Sequence, residues 1–245
     1  MASENMIETA TISRGRRAVA LVLQGLAVLA GVLLAFTVES YGQVRDDRAR
    51  AARMLVALDA ELDVTASTLA SRIERDEGEL NLIDSFFVAV VLPAAEVSPS
   101  IDDVAGLVEE IGPKVTVPYQ TGALDDLLLS GGLILVEDQS VRQGILEYSR
   151  SLTQEAAAQE NGVLFWNDHL SPYYFEFGNL GHFLAADRLG LEAPPPVMEA
   201  FVRSREFANL LGERRATVNR LRQARVRLLA QIEALGPLLR RAPAI

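Results

Sequence analysis

The chain has 245 residues and a formal net charge of −10, with no cysteine, two histidines and a single lysine, Lys114, among its 23 basic residues. That length holds one extramembrane domain of about 200 residues beside a short anchor. The missing cysteines exclude a disulfide framework, thiol chemistry and Cys-ligated metal.

From the N-terminus, a basic tail (1–17) leads into Ala18–Val38, an uncharged run with Gln24 as its one strongly polar residue. Such a run is long enough to cross the hydrocarbon core as a helix. It is longer than the apolar part of a cleaved signal, and no small-x-small site follows it, so a retained span is expected. Arg14, Arg16 and Arg17 before it and Glu39 after it favour a cytoplasmic N-terminus and the bulk of the chain on the other side of the membrane. Ala27, Gly31 and Ala35 recur every four residues. This small-residue ridge makes them candidates for span dimerisation, hence a homo-oligomer.

Residues 39–245 form the expected extramembrane domain. From 46 to 92 there is no proline, and Leu55, Leu58, Leu62, Leu69, Ile73, Leu80, Ile83, Phe87 and Val90 fall at three- and four-residue spacing. This predicts one long amphipathic helix ended by Pro93. Residues 93–203 are expected to form a helical cap at the far end of that helix. A short helix is predicted over 101–111. Another is capped by Thr121, turned at Gly131-Gly132, and followed by one capped by Asp138 with Val141, Ile145, Tyr148 and Leu152 on one face. "LEAPPP" (191–196) marks a corner.

The last helix, 204–241, opens at Ser204. Val218, Ile232 and Leu239 occupy one heptad register and Leu221, Leu228 and Leu235 the other, with Arg225 interrupting the first. A heptad seam needs a partner helix, and the long helix running antiparallel is the natural one. The fold class is therefore all-α. Residues 54–202 carry 25 acidic and six basic side chains, and 203–245 carry ten arginines against three glutamates. The basic segment is also amphipathic, so folding back onto the acidic one is the favoured reading of that asymmetry. Its end would return Arg240 and Arg241 toward the membrane surface near Arg45 and Arg48. They are candidate contacts to lipid headgroups of an anionic cytoplasmic leaflet or, with a periplasmic bulk, helix-pairing salt bridges.

"ESYGQVRDDRARAARMLVALDAEL", with Leu55, Leu58, Glu61 and Leu62, resembles a family of uncharacterised bacterial membrane-anchored proteins whose apolar span runs into an Arg-rich helix. Ser130, Gly131, Leu133, Val141, Arg142 and Tyr148 resemble its central element, and Phe207 and Asn209 its last-helix opening. The sequence departs from that pattern where many members carry an aromatic just after the span and a second beside the central Tyr; Tyr41 and Ser149 stand nearby here. The resemblance implies this architecture in a bacterial inner membrane, with a periplasmic bulk in the orientation above, and no catalytic residue.

Little else suggests chemistry. His169 and His182 lack further ligands at zinc spacing, and paired acids such as Asp125-Asp126 suit a solvated helix face. The Gly131-Gly132 corner lacks the basic face a DNA reader needs. Seven of the fifteen aromatics lie between Phe165 and Phe183. Such a cluster serves as core or as a binding anchor, with Trp166, His169, Tyr173 and Tyr174 as the candidates for a ligand or protein partner. The expected function is a non-enzymatic membrane scaffold without cofactor or nucleic acid, or alternatively a sensor binding its ligand at that cluster.

Overall fold

The computed structural model describes residues 4–91, 107, 111, 116, 118–178 and 204–241. The chain divides into two compact units, Met1–Arg53 with Ile245 and Met54–Ala244. The described elements are α1 (Glu4–Val91), α2 (Gly122–Leu129), α3 (Gly132–Leu135), α4 (Gln139–Phe165), a π-helical turn (Trp166–Leu170), α5 (Ser171–Tyr173), a second π turn (Tyr174–Gly178) and α6 (Arg205–Arg241). No strand occurs among the described residues.

In the first unit the described chain is α-helical, and Leu26, Leu29, Val32, Leu33 and Leu34 are 48–68% exposed. Among the described residues no helix is long and apolar enough to cross a membrane. The expected span 18–38 thus finds no support there. The side chains of 18–23, 25, 27, 28, 30 and 35–38 lie outside the described residues, taking Ala27 and Ala35 with them. Around Gly31 there is open space.

The second unit is a bundle of α1, α4 and α6, each contributing a stripe at alternating four- and three-residue spacing. On α1 the stripe is Leu58, Leu62, Thr65, Leu69, Arg72, Asp76, Glu79, Ile83 and Phe86. On α4 it includes Val141, Ile145, Tyr148, Glu155, Gln159, Gly162, Trp166 and Leu170, and on α6 Phe207, Leu211, Arg214, Val218, Arg225, Leu228, Ile232, Leu235 and Leu239. A mean period of 3.5 keeps each stripe facing its partners along the whole length.

Two apolar clusters result. The first gathers Leu58, Leu62 and Leu69 with Leu124, Leu127, Ile145, Tyr148, Leu228 and Leu239. The second gathers Ile83 and Phe86 with Leu107, Ile111, Trp166, Leu170, Tyr174 and Phe207. Each fully buried aliphatic or phenyl side chain contributes about 1.5–3 kcal/mol. α1 and α4 both run from the first cluster to the second and α6 returns, so α6 is antiparallel to both. Ion pairs fix the register: Arg215 meets Asp84, Arg222 meets Glu77 and Arg240 meets Asp59. A rise of 25 residues along α6 matches a fall of 25 along α1. Arg214, Arg215, Arg222, Arg225 and Arg240 all pair with acids of α1, which confirms that the basic segment folds back onto the acidic one.

Of the expected cap over 93–203, Leu107, Ile111, Leu170, Tyr173 and Tyr174 pack at the far end of the long helix beside Ile83 and Phe86. α2, α3 and the first half of α4 instead pack at the Leu58 end, and α4 runs alongside α1 and α6 because its own stripe continues into Trp166 and Leu170. Most of the short helix expected over 101–111 lies outside the described residues; Ile111 N–H bonds Leu107 O at 2.9 Å.

The local signals are obeyed, with one exception. Asp138 accepts from Ser140 N–H at 2.7 Å, and Ser204 Oγ accepts from Phe207 N–H at 3.0 Å. Thr121 occupies the cap position of α2, but its hydroxyl bonds Asp125 instead. The free N–H groups of Ala123 and Leu124 are taken by Glu61 of α1, at 2.7 and 3.4 Å, so a distant carboxylate caps α2. Gly131 turns the chain at φ +76°, and a Cβ on Gly132 would lie 2.8 Å from Met54 Sδ.

Candidate functional site

Between the two apolar clusters the bundle has a charged waist. Arg72, Asp76 and Glu79 of α1, Glu155 and Gln159 of α4, and Arg214, Thr217 and Arg225 of α6 are all at most 8% exposed. Leaving such groups unpaired would cost several kcal/mol each, so the waist depends on its partners.

Arg225 is the hub. Its Nη1 donates to both Asp76 oxygens at 2.7 and 2.8 Å, and its Nε donates to Glu155 Oε1 at 3.0 Å. Burial alone would lower its pKa, but the charges of Asp76 and Glu155 outweigh burial and raise it. Glu155 also accepts from Gln159 Nε2 at 2.7 and 2.5 Å and from the Tyr119 hydroxyl at 3.0 Å. Burial, then the neighbouring Glu155 charge, pushes the Tyr119 phenol up to about 12. The Arg72 guanidinium stands 4.8 Å from the Tyr119 ring centre, within cation–π range. Arg214 Nε donates to Glu79 at 2.7 Å. Three arginines thus face three carboxylates, and the waist is neutral as a whole.

A cavity of about 80 Å³ opens within it, lined in part by Asp76, Glu79, Trp166, Arg214, Thr217 and Arg225. Thr116, which belongs to none of the described helices, also lines it.

The aromatic candidates separate. Trp166, Tyr173 and Tyr174 are buried and pack on one another and on Phe207, the Tyr173 and Phe207 rings stacking at 6.1 Å between centres. Burial raises the pKa of both tyrosines. Tyr173 OH and Ser204 Oγ share a 2.6 Å hydrogen bond that ties α5 to the start of α6. His169 alone is exposed, its ring 5.4 Å from that of Phe165, beside Asp168, Glu213 and Arg220 in an open groove. Among the described residues no group of His, Cys, Asp and Glu could hold a metal ion, and His182 lies outside them. Arg45, Arg48 and Arg241 are exposed, and Arg240 pairs with Asp59 at 2.9 Å.

The waist itself is not among the sequence-derived candidates. Its one trace was Arg225, the break in the α6 heptad. Counting apolar positions alone placed Ile73 and Leu80 on the α1 seam, yet both are only half-buried, and Arg72, Asp76 and Glu79 fill the seam instead. No family model, curated protein or solved structure matches the chain.

Proposed function

We propose that the chain is a membrane-anchored, non-enzymatic scaffold, self-associating and engaging a protein partner through its helical bundle. The observation that carries this reading is the helical, uncharged stretch around Leu26–Leu34, in which Leu26, Leu29, Val32, Leu33 and Leu34 are about half or more exposed. Exposed leucines in such density call for lipid or another helix. The uncharged run 18–38 of the sequence and the resemblance to a membrane-anchored family point the same way, and Arg14, Arg16 and Arg17 favour a periplasmic bundle. Gly31, with Ala27 and Ala35, supplies the close-approach ridge for self-association.

The bundle suits a scaffold because its charges answer one another across helices and fix a single register. The test is extraction: after carbonate and high-salt washing the chain stays in the membrane pellet, and release into the supernatant overturns the anchor. Reporters fused after Ile245 then read topology, with periplasmic activity expected. The sensor reading gains one observation, the cavity beside Trp166, although the aromatic residues themselves are core.

A further inference from the structure

The waist cavity is a built feature. Arg214 and Arg225 lie eleven residues apart on α6, about 16 Å along the axis, yet both reach carboxylates only three residues apart, Asp76 and Glu79. The two guanidinium groups therefore converge from either side. At the level between them α6 presents Thr217, Val218 and Leu221 to the cavity, and α4 presents Gly162, which has no side chain to fill it.

We propose that this cavity binds a small zwitterion carrying a carboxylate and an ammonium group, of amino-acid type. Asp76, Glu79, Arg214 and Arg225 line it among apolar side chains, so it is not the dry void that wholly apolar walls enclose. At about 80 Å³ it is far below the roughly 300–1,000 Å³ of sites for drug-sized ligands. Its two arginines and two carboxylates cancel, so a ligand of either net charge would bury an uncompensated charge. An apolar ligand would strip water from the lining polar atoms without replacing its hydrogen bonds. A zwitterion answers both signs: guanidinium groups take carboxylates in paired hydrogen bonds, and Asp76 and Glu79 take an ammonium. Trp166 adds an aromatic wall of the kind cations favour. This inference does not rest on the membrane anchor.

Trp166, the chain's only tryptophan, lines the cavity and reports its occupancy. The experiment titrates the purified full-length chain with glycine and alanine, and with acetate and methylammonium at equal ionic strength, following Trp166 emission and the melting temperature. The expected result is a saturable emission change and a raised melting temperature with a zwitterion, and neither with the single-charge ions. Gly162→Ala is the discriminating variant. A Cβ there would sit 3.9 Å from Thr217 Cγ2, an ordinary contact, so the added methyl occupies cavity space without a clash. It should weaken zwitterion binding about tenfold or more. No saturable response to either zwitterion overturns the proposal, as does an equal response to acetate or methylammonium, or an unchanged affinity in folded Gly162→Ala. Should that variant not fold, the contrast between zwitterions and single-charge ions in the parent chain decides.

Discussion

The two apolar clusters and the charged waist use the same helices and the same spacing, yet they are held together differently. In the Leu58 cluster each side chain adds burial nearly independently of the next, and removing one leaves a smaller but similar core. In the waist, Arg225 bonds Asp76 and Glu155, and Glu155 in turn holds Gln159 and Tyr119. Removing one member strands the rest as buried, uncompensated groups. An apolar seam shifted by a heptad still meets apolar partners. A charged layer shifted by a heptad does not, so the waist specifies register where the clusters specify only burial.

The largest effect that separates the regions is therefore expected at the hub. Arg225→Met should lower unfolding free energy by about 3–5 kcal/mol, read by denaturant titration of the full-length chain. Adding Asp76→Leu to that variant should recover part of the loss, since it removes the carboxylate left unpaired while Glu155 keeps Gln159 and Tyr119 as partners. At the apolar end, Leu228→Ala should cost about 2–5 kcal/mol, with no such recovery from changes at its neighbours.

pH sharpens the contrast further. Tyr119 has a folded pKa of about 12, raised from 10.0. Its neutral form is the one that fits the waist, so its contribution is intact below pH 10 and is lost as pH rises through about 12. Tyr119→Phe should flatten that alkaline decline. The smallest effect belongs to the rim pair. Asp84 is held below the usual carboxylate range by its hydrogen bond to Arg215, but both side chains are about half exposed. Arg215→Ala should therefore cost less than about 1 kcal/mol and less still at high salt.

The sequence displayed the bundle through its apolar periods. The α6 heptad and the Asp138 and Ser204 caps follow from short-range physics and stand as expected. Glu61 as the cap of α2 was not legible, because a carboxylate 62 residues away satisfies those N–H groups. The waist was hidden for a related reason. Burial of Asp76, Glu79 and Glu155 depends on arginines brought across from another helix, and a periodicity of apolar residues passes over them to Ile73 and Leu80. Arg225 alone showed through, as a charge in a seam. The aromatic cluster was legible as a cluster; only packing against Phe207 makes it core.

The most direct test of the waist as one interdependent unit is a double-mutant cycle between Arg225→Met and Asp76→Leu, measured by equilibrium unfolding. The account predicts that the two losses fail to add by about 1–3 kcal/mol, the double variant being more stable than the sum implies. Additivity to within about 0.5 kcal/mol would mean that Arg225 and Asp76 are held independently, and would contradict it.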